Sequence, residues 1–359
     1  MTSSPRIFGP LGLVYSRHSR CFRFAAAALV LSCALLASGC GTVLQHGDPH
    51  SQPPPSSPPP TATQSGSVAI TPQYVALAQS QKFQFAATAS GPVEWLVNGV
   101  RGGNSTLGTI DASGNYTAPA FIVNSENIVI TAALAASPTQ NYATSVVSVL
   151  LPGTLTCPDK TGNPQVAEYS VYLPAPGKVF VDFGTSTDYG RSTWAMPTPS
   201  PNGGQVQLDV AGMLGHTLYH MRPEIVLDDG ATLTESDQTC LTGTPPATAP
   251  IQISTTNGAT PQSGIELWNT VLPSSDVQAF ATDLKGNVLW TYTYKHPPLD
   301  IIQGIQLLPN GHLLMLVSYL SSITLSSTSG IIDEVREIDL AGNTVRSLTV
   351  DQLNTKLAA

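Results

Sequence analysis

The phrase Asp283-Leu284-Lys285-Gly286-Asn287-Val288-Leu289-Trp290 returns 56 residues later as Asp339-Leu340-Ala341-Gly342-Asn343-Thr344-Val345-Arg346. An aspartate, a Gly-Asn pair that readily takes positive φ, and a following β-branched run describe two strands joined by a tight turn. Between the copies, Ile305 to Leu316 reads as a second hairpin with Asn310-Gly311 at its tip. Four strands in a repeat of this length predict the blade of a β-propeller. The chain reaches Ala359 little more than one period on, so the expectation over residues 248–359 is one or two blades of an unclosed ring.

The rest of the chain reads as all-β as well. Thirty Gly and thirty Pro among 359 residues, with only 11% charged, are too many turn formers for a helical fold. Short alternating runs begin near Val68, including Lys82 to Thr88 and Val93 to Val97, each ended by Gly, Pro or Asn. Residues 67–152 are expected to form one β-sandwich, with Trp95 in its core and turns at Asn98-Gly99 and Ser113-Gly114. Residues 153–247 are expected to form a second, with Val179 to Gly184, Gln205 to Val210 and Thr217 to Pro223 as strands. Asp351 to Leu357 carries a weak helical pattern.

The amino terminus has the order of a secretion signal. Arg6, Arg17, Arg20 and Arg23 precede an apolar run from Phe24 to Ala37 that is short for a membrane span. It ends in Leu36-Ala37-Ser38-Gly39-Cys40, which resembles the lipobox of bacterial lipoproteins. That resemblance implies cleavage before Cys40 and diacylation of its sulfur, and two acyl chains anchor a protein stably to a membrane. The alternative is an ordinary signal peptide with an incidental cysteine. Residues 40–66, rich in Pro and Ser, have no hydrophobic periodicity and are expected to be an extended spacer. Loss of residues 1–39 takes four basic and no acidic side chains, leaving 11 basic against 23 acidic and a net charge of −12 with His neutral. So acidic a chain is not expected to bind nucleic acid. The expected setting is the bacterial cell envelope. Of the five cysteines, Cys21 and Cys33 lie in the leader and Cys40 takes lipid. Cys157 and Cys240, one at each edge of the second sandwich, are expected to form a disulfide in an oxidising compartment.

Catalytic and metal motifs are sparse. His216 and His220, four residues apart, are joined in sequence by no carboxylate or third His, so they read as structural rather than as metal ligands. His296 and His312 have no acid at a spacing that would orient them as bases, and read as surface histidines. Glu334, Arg336, Glu337 and Asp339 read as a solvated, mixed-charge strand. Asp228-Asp229-Gly230 reads as a hairpin turn rather than a calcium loop. No phosphate loop, Cys-x-x-Cys pair or nucleophile elbow occurs, so no cofactor, metal or catalytic residue is assigned.

Gly264 to Leu267, Ala281 to Trp290, Leu308 to His312 and Arg336 to Asn343 together resemble the opening of the bacterial arylsulfotransferases. Trp95 to Gly99 with Gly108 to Pro119 resembles bacterial Ig-like domains, and Val179 to Pro223 resembles a fibronectin type III module. The arylsulfotransferase resemblance implies a propeller set behind a sandwich. It also implies sulfuryl transfer from a phenolic sulfate ester to a phenol through a sulfated histidine. That family's histidine follows a His-His-Asp phrase in later blades. This chain contains no such phrase, so no nucleophile carries over, and a truncated form is expected. Two other readings remain: a non-catalytic adhesion or carbohydrate-contact lipoprotein, and a fragment of a quinoprotein-like propeller. The last is weakened because Leu284-Lys285-Gly286 lacks that family's Thr-Gly.

Overall fold

A computed structural model describes residues 57–64, 67–248, 264–270, 277–293, 300–319 and 333–358. The leader, Cys40, most of the Pro/Ser-rich spacer and His296 lie outside the described residues. The fold is all-β, with the helix Val350–Leu357 the one α-helix among the described residues. That helix starts from a capping box in which Thr349 and Gln352 each bond the other's backbone N–H.

The first sandwich joins a five-stranded sheet, in the order Tyr74–Ala78, Tyr142–Leu150, Glu126–Leu134, Val93–Val97, Val100–Arg101, to a four-stranded sheet running from Lys82–Gln84 to Gly103–Asn104. A separate pair, Val68–Thr71 with Ala86–Ala89, completes it. Its first-to-last pairing, Tyr74–Ala78 with Tyr142–Leu150, is parallel. Trp95, Ile110, Tyr116, Ile128, Ile130 and Val147 fill the core. Tyr116, wholly buried, donates its hydroxyl to Leu107 O at 2.7 Å, which satisfies the one polar atom the ring carries inside. The chain before this domain is tied to it. Thr63 N–H donates to Thr144 Oγ1, and Thr144 N–H donates to Thr63 O, both at 2.7 Å.

The second sandwich packs Thr154–Thr156, Ala167–Leu173 and Gly204–Val210 against a six-stranded sheet built on Gly177–Gly184 and Leu218–Leu227. Leu218–Leu227 alternates outward and inward without a break, so Tyr219, Met221, Ile225 and Leu227 enter one core. The Tyr219 hydroxyl accepts from Leu214 N–H at 3.0 Å, so the ring packs inward while its oxygen ties down the preceding loop. Ala76 and Leu150 of the first sandwich belong to this second core, and Asn127 Nδ2 donates to Pro174 O at 2.8 Å. The two sandwiches are therefore packed together and not merely tethered.

Two open antiparallel sheets follow. One has the order Glu266–Asn269, Ala279–Thr282, Val288–Tyr292; the other has the order Asp300–Leu307, Leu313–Tyr319, Glu334–Ile338, Thr344–Thr349. They meet face to face, Ala279, Ala281, Trp290 and Tyr292 against Ile302, Leu313, Met315, Val317 and Ile338. No closed barrel or propeller forms among the described residues.

The repeated phrase makes the same turn twice. Asp283 Oδ1 accepts from Lys285 N–H and Asn287 N–H, and Asn287 Nδ2 donates to Oδ2, while Gly286 sits at φ 85°. Asp339, Asn343 and Gly342 (φ 95°) repeat the bonds from asparagine and the positive φ, while Ala341 N–H, the counterpart of Lys285 N–H, turns instead to Asp209; in both copies the strand register slips just before the aspartate. A third copy lies in the first sandwich. Asp111 Oδ1 accepts from Ser113 N–H and Asn115 N–H, Asn115 Nδ2 donates to Oδ2, and Gly114 has φ 84°. The Asp-x-x-Gly-Asn phrase thus encodes a local hairpin turn usable in either kind of sheet.

Candidate functional site

The densest group of polar side chains in the C-terminal sheets lies on Glu334–Ile338, the strand expected to be solvated. That expectation is corrected: Glu334, Arg336 and Glu337 are 5%, 2% and 3% exposed. The strand lies inside its sheet, paired on its two edges by Leu313–Tyr319 and Thr344–Thr349, and side chains cover these residues on both of its faces. On the face toward the other sheet, Arg336 forms a two-pronged pair with Glu334, Nε to Oε1 at 2.9 Å and Nη2 to Oε2 at 2.7 Å. A third nitrogen donates to the Tyr292 hydroxyl at 3.2 Å. Burial alone would lower the guanidinium's pKa, but these bonds outweigh it and raise it, so the cation is retained inside the interface.

On the opposite face Glu337 gathers three donors: His312 Nδ1 at 2.7 Å, Asn310 Nδ2 at 3.0 Å and Arg346 Nε. Burial pushes its carboxyl up, and bonds from Arg346, His312 and Asn310 more than reverse this, holding it at about 2. An ionised carboxylate only accepts, so in this contact His312 Nδ1 is the donor. The reading of His312 as a histidine without an acid is therefore corrected. The acid comes from the neighbouring strand, where Leu313 pairs with Ile338 and Leu314 with Glu337.

The second sandwich corrects the same kind of reading. His220 Nδ1 lies 2.7 Å from Asp237 Oδ2, and Asp237 Oδ1 accepts from the Tyr189 hydroxyl at 3.1 Å. The Arg222 guanidinium stacks on the Tyr189 ring at 4.5 Å and pairs with Asp182 and Glu224. His216 points elsewhere, its Nε2 2.9 Å from Thr244 Oγ1, so the two histidines do not share a site. Among the described residues no three His, Cys, Asp or Glu side chains are grouped to hold a metal ion. Cys157 and Cys240 are disulfide-bonded, with Cα atoms 5.4 Å apart. Asp228-Asp229-Gly230 links Leu218–Leu227 to Thr232–Thr234 as a hairpin turn, with Gly230 at φ 92°.

Three side chains that the sequence did not single out join the second sandwich to the C-terminal sheets. Asn163 Nδ2 donates to Thr291 O at 3.0 Å, and Gln165 Nε2 donates to Val288 O at 2.8 Å, so buried amides cap carbonyls of the strand Val288–Tyr292. Asp209 Oδ2 accepts from Leu340 N–H at 2.9 Å and Ala341 N–H at 3.2 Å. No local pattern announces these contacts, whose partners are more than 120 residues apart in sequence. Elsewhere an open groove in the first sandwich, lined by Lys82, Phe83, Gln84, Thr109 and Asp111, offers polar contacts but no arranged chemistry.

The chain matches no known family profile and no curated protein. Among solved structures it is similar at low level to titin domains A168–A170, at 11% identity and TM-score 0.18 over 50% of this chain and 67% of that one. It is also similar to chicken CNTN1 FN1–FN3, at 8% identity and TM-score 0.22 over 80% and 98%. A third similarity is to Parabacteroides merdae β-glucuronidase, at 10% identity and TM-score 0.16 over 49% of this chain. The chain spans about a quarter of that enzyme's length (24%). Likenesses this distant carry no functional argument, and the fold assignment rests on the sheets and cores themselves.

Proposed function

We propose that the chain belongs with exported, lipid-anchored arylsulfotransferase-like proteins. In this reading the paired sandwiches serve as the platform on which propeller sheets assemble. The observation that supports it is the order of parts: two sandwiches, then two antiparallel sheets packed face to face and carrying the same turn at 283–287 and 339–343. The reaction would break the S–O bond of a phenolic sulfate ester while an imidazole nitrogen bonds to sulfur. The sulfuryl group then passes to the oxygen of an acceptor phenol, whose proton leaves to a base. No residue of this chain is given the nucleophile's place, because none stands in a His-His-Asp phrase.

The test compares envelope extracts from native cells with and without the gene, using 4-nitrophenyl sulfate as donor and phenol as acceptor. Phenol-dependent nitrophenol release that disappears with the gene supports the reading; equal release from both strains overturns it. The purified 359-residue chain alone is expected to show none, because none of its residues takes the nucleophile's place, so the gene-dependent release in extracts calls for a further polypeptide that supplies the histidine. A second reading, a non-catalytic glycan-contact protein, draws on Trp194, an aromatic residue left 59% exposed. In that case gene deletion would reduce binding of cells to polysaccharide and leave sulfuryl transfer unchanged.

A further inference from the structure

The turn at 339–343 is held from two sides. Leu340 N–H and Ala341 N–H both donate to Asp209 Oδ2 on the sandwich strand Gly204–Val210, while Leu340 O accepts from the Trp290 indole N–H at 2.6 Å. One peptide unit therefore joins the second sandwich and both C-terminal sheets. The charged groups that act on Asp209 are acids. Glu168 stands directly opposite it on Ala167–Leu173, and Asp339 lies in the turn that it grips. Glu168 takes a bond from Gln207 Nε2 at 2.7 Å, and Asp339 takes bonds from the N–H and amide of Asn343 at 2.7 and 2.9 Å.

We propose that Asp209 is a pH-responsive latch: protonated, it holds the turn at 339–343 firmly against the second sandwich, and ionised, it lets that contact loosen. A protonated carboxyl keeps its carbonyl oxygen, so Oδ2 still accepts both backbone N–H groups while the proton sits on Oδ1. What protonation removes is a half-buried charge with Glu168 opposite it and Asp339 in the turn it grips. Burial first, then Asp339 and Glu168, push the Asp209 carboxyl up to about 7, against the pull of the two N–H donors. Because its value is raised in the docked state, the stabilisation is complete below the ordinary value of 3.8 and is lost as pH rises through about 7.

The experiment is hydrogen exchange on the full mature chain from pH 5 to 8.5, corrected for the intrinsic pH dependence and read at Leu340 and Ala341. In the native protein, protection should fall on the order of a hundredfold between pH 5 and 8. Asp209→Asn retains an acceptor oxygen without the titration, so its protection should stay flat over that range. Glu168→Gln preserves the strand and removes one neighbouring charge, so the midpoint should move to lower pH. Flat protection in the native chain overturns the proposal, as does an Asn variant with the native slope or a midpoint unmoved by Glu168→Gln.

Discussion

Replacing Glu337 by Gln tests whether the polar group on Glu334–Ile338 stabilises the C-terminal sheets. Glu337 is held at about 2 against an ordinary 4.5, mainly by Arg346 and His312 acting against burial. A difference of that size is worth about 3 kcal/mol at pH 7. Arg346 is 76% exposed on its side chain, so water screens its part, and the expected loss is about 2 kcal/mol. Because the folded value is lowered, this contribution is present above 4.5 and is lost as pH falls through about 2. The gap between native and variant should therefore shrink to less than half its neutral value by about pH 3. Native-state exchange of the Glu334–Ile338 amides in a urea series at pH 7 and pH 3 reads the local opening free energy directly, without requiring this multidomain chain to unfold in one step. A gap at neutral pH under about 0.5 kcal/mol, or one that is the same at both pH values, would refute the reasoning.

Three further outcomes are expected. Cys157→Ala with Cys240→Ala opens a loop with 83 residues of sequence separation, and the second sandwich should lose up to about 4 kcal/mol, read as a lower urea midpoint that reductant no longer shifts. Tyr219→Phe removes the acceptor of Leu214 N–H from a nearly fully buried ring and should cost about 1 to 2 kcal/mol, with unchanged strand content by circular dichroism. Cys40→Ser should abolish metabolic palmitate labelling and release the protein from membranes; retained label would end the lipoprotein proposal.

Much of the fold is written in local chemistry. The Asp-x-x-Gly-Asn turn is legible because the carboxylate, the glycine and the asparagine amide all act within five residues, and all three copies fold alike. The same locality limits its meaning, since the copy at 111–115 sits in a sandwich and not in the C-terminal sheets. The polar groups are not legible in the sequence for a related reason. His220 and Asp237 are 17 positions apart and His312 and Glu337 are 25 apart, so each pair exists only once strand register is fixed. Glu334, Arg336 and Glu337 resemble a wet edge in sequence because charge count reports composition, whereas burial depends on which strands flank them.

Alone, the sequence determined the strand-rich class, the turns, the inward face of alternating runs such as Leu218–Leu227, and the pair of cysteines available for a bridge. These follow from torsional preference and period-two alternation, which act over a few residues. Tertiary structure alone decided that Asp209 grips the turn at 339–343, that Asn163 and Gln165 cap a distant strand, and that Arg336 lies dry against Tyr292. Those outcomes depend on surfaces brought together across more than forty residues of chain, where solvent exclusion and backbone hydrogen-bond demand, rather than local propensity, choose the partner.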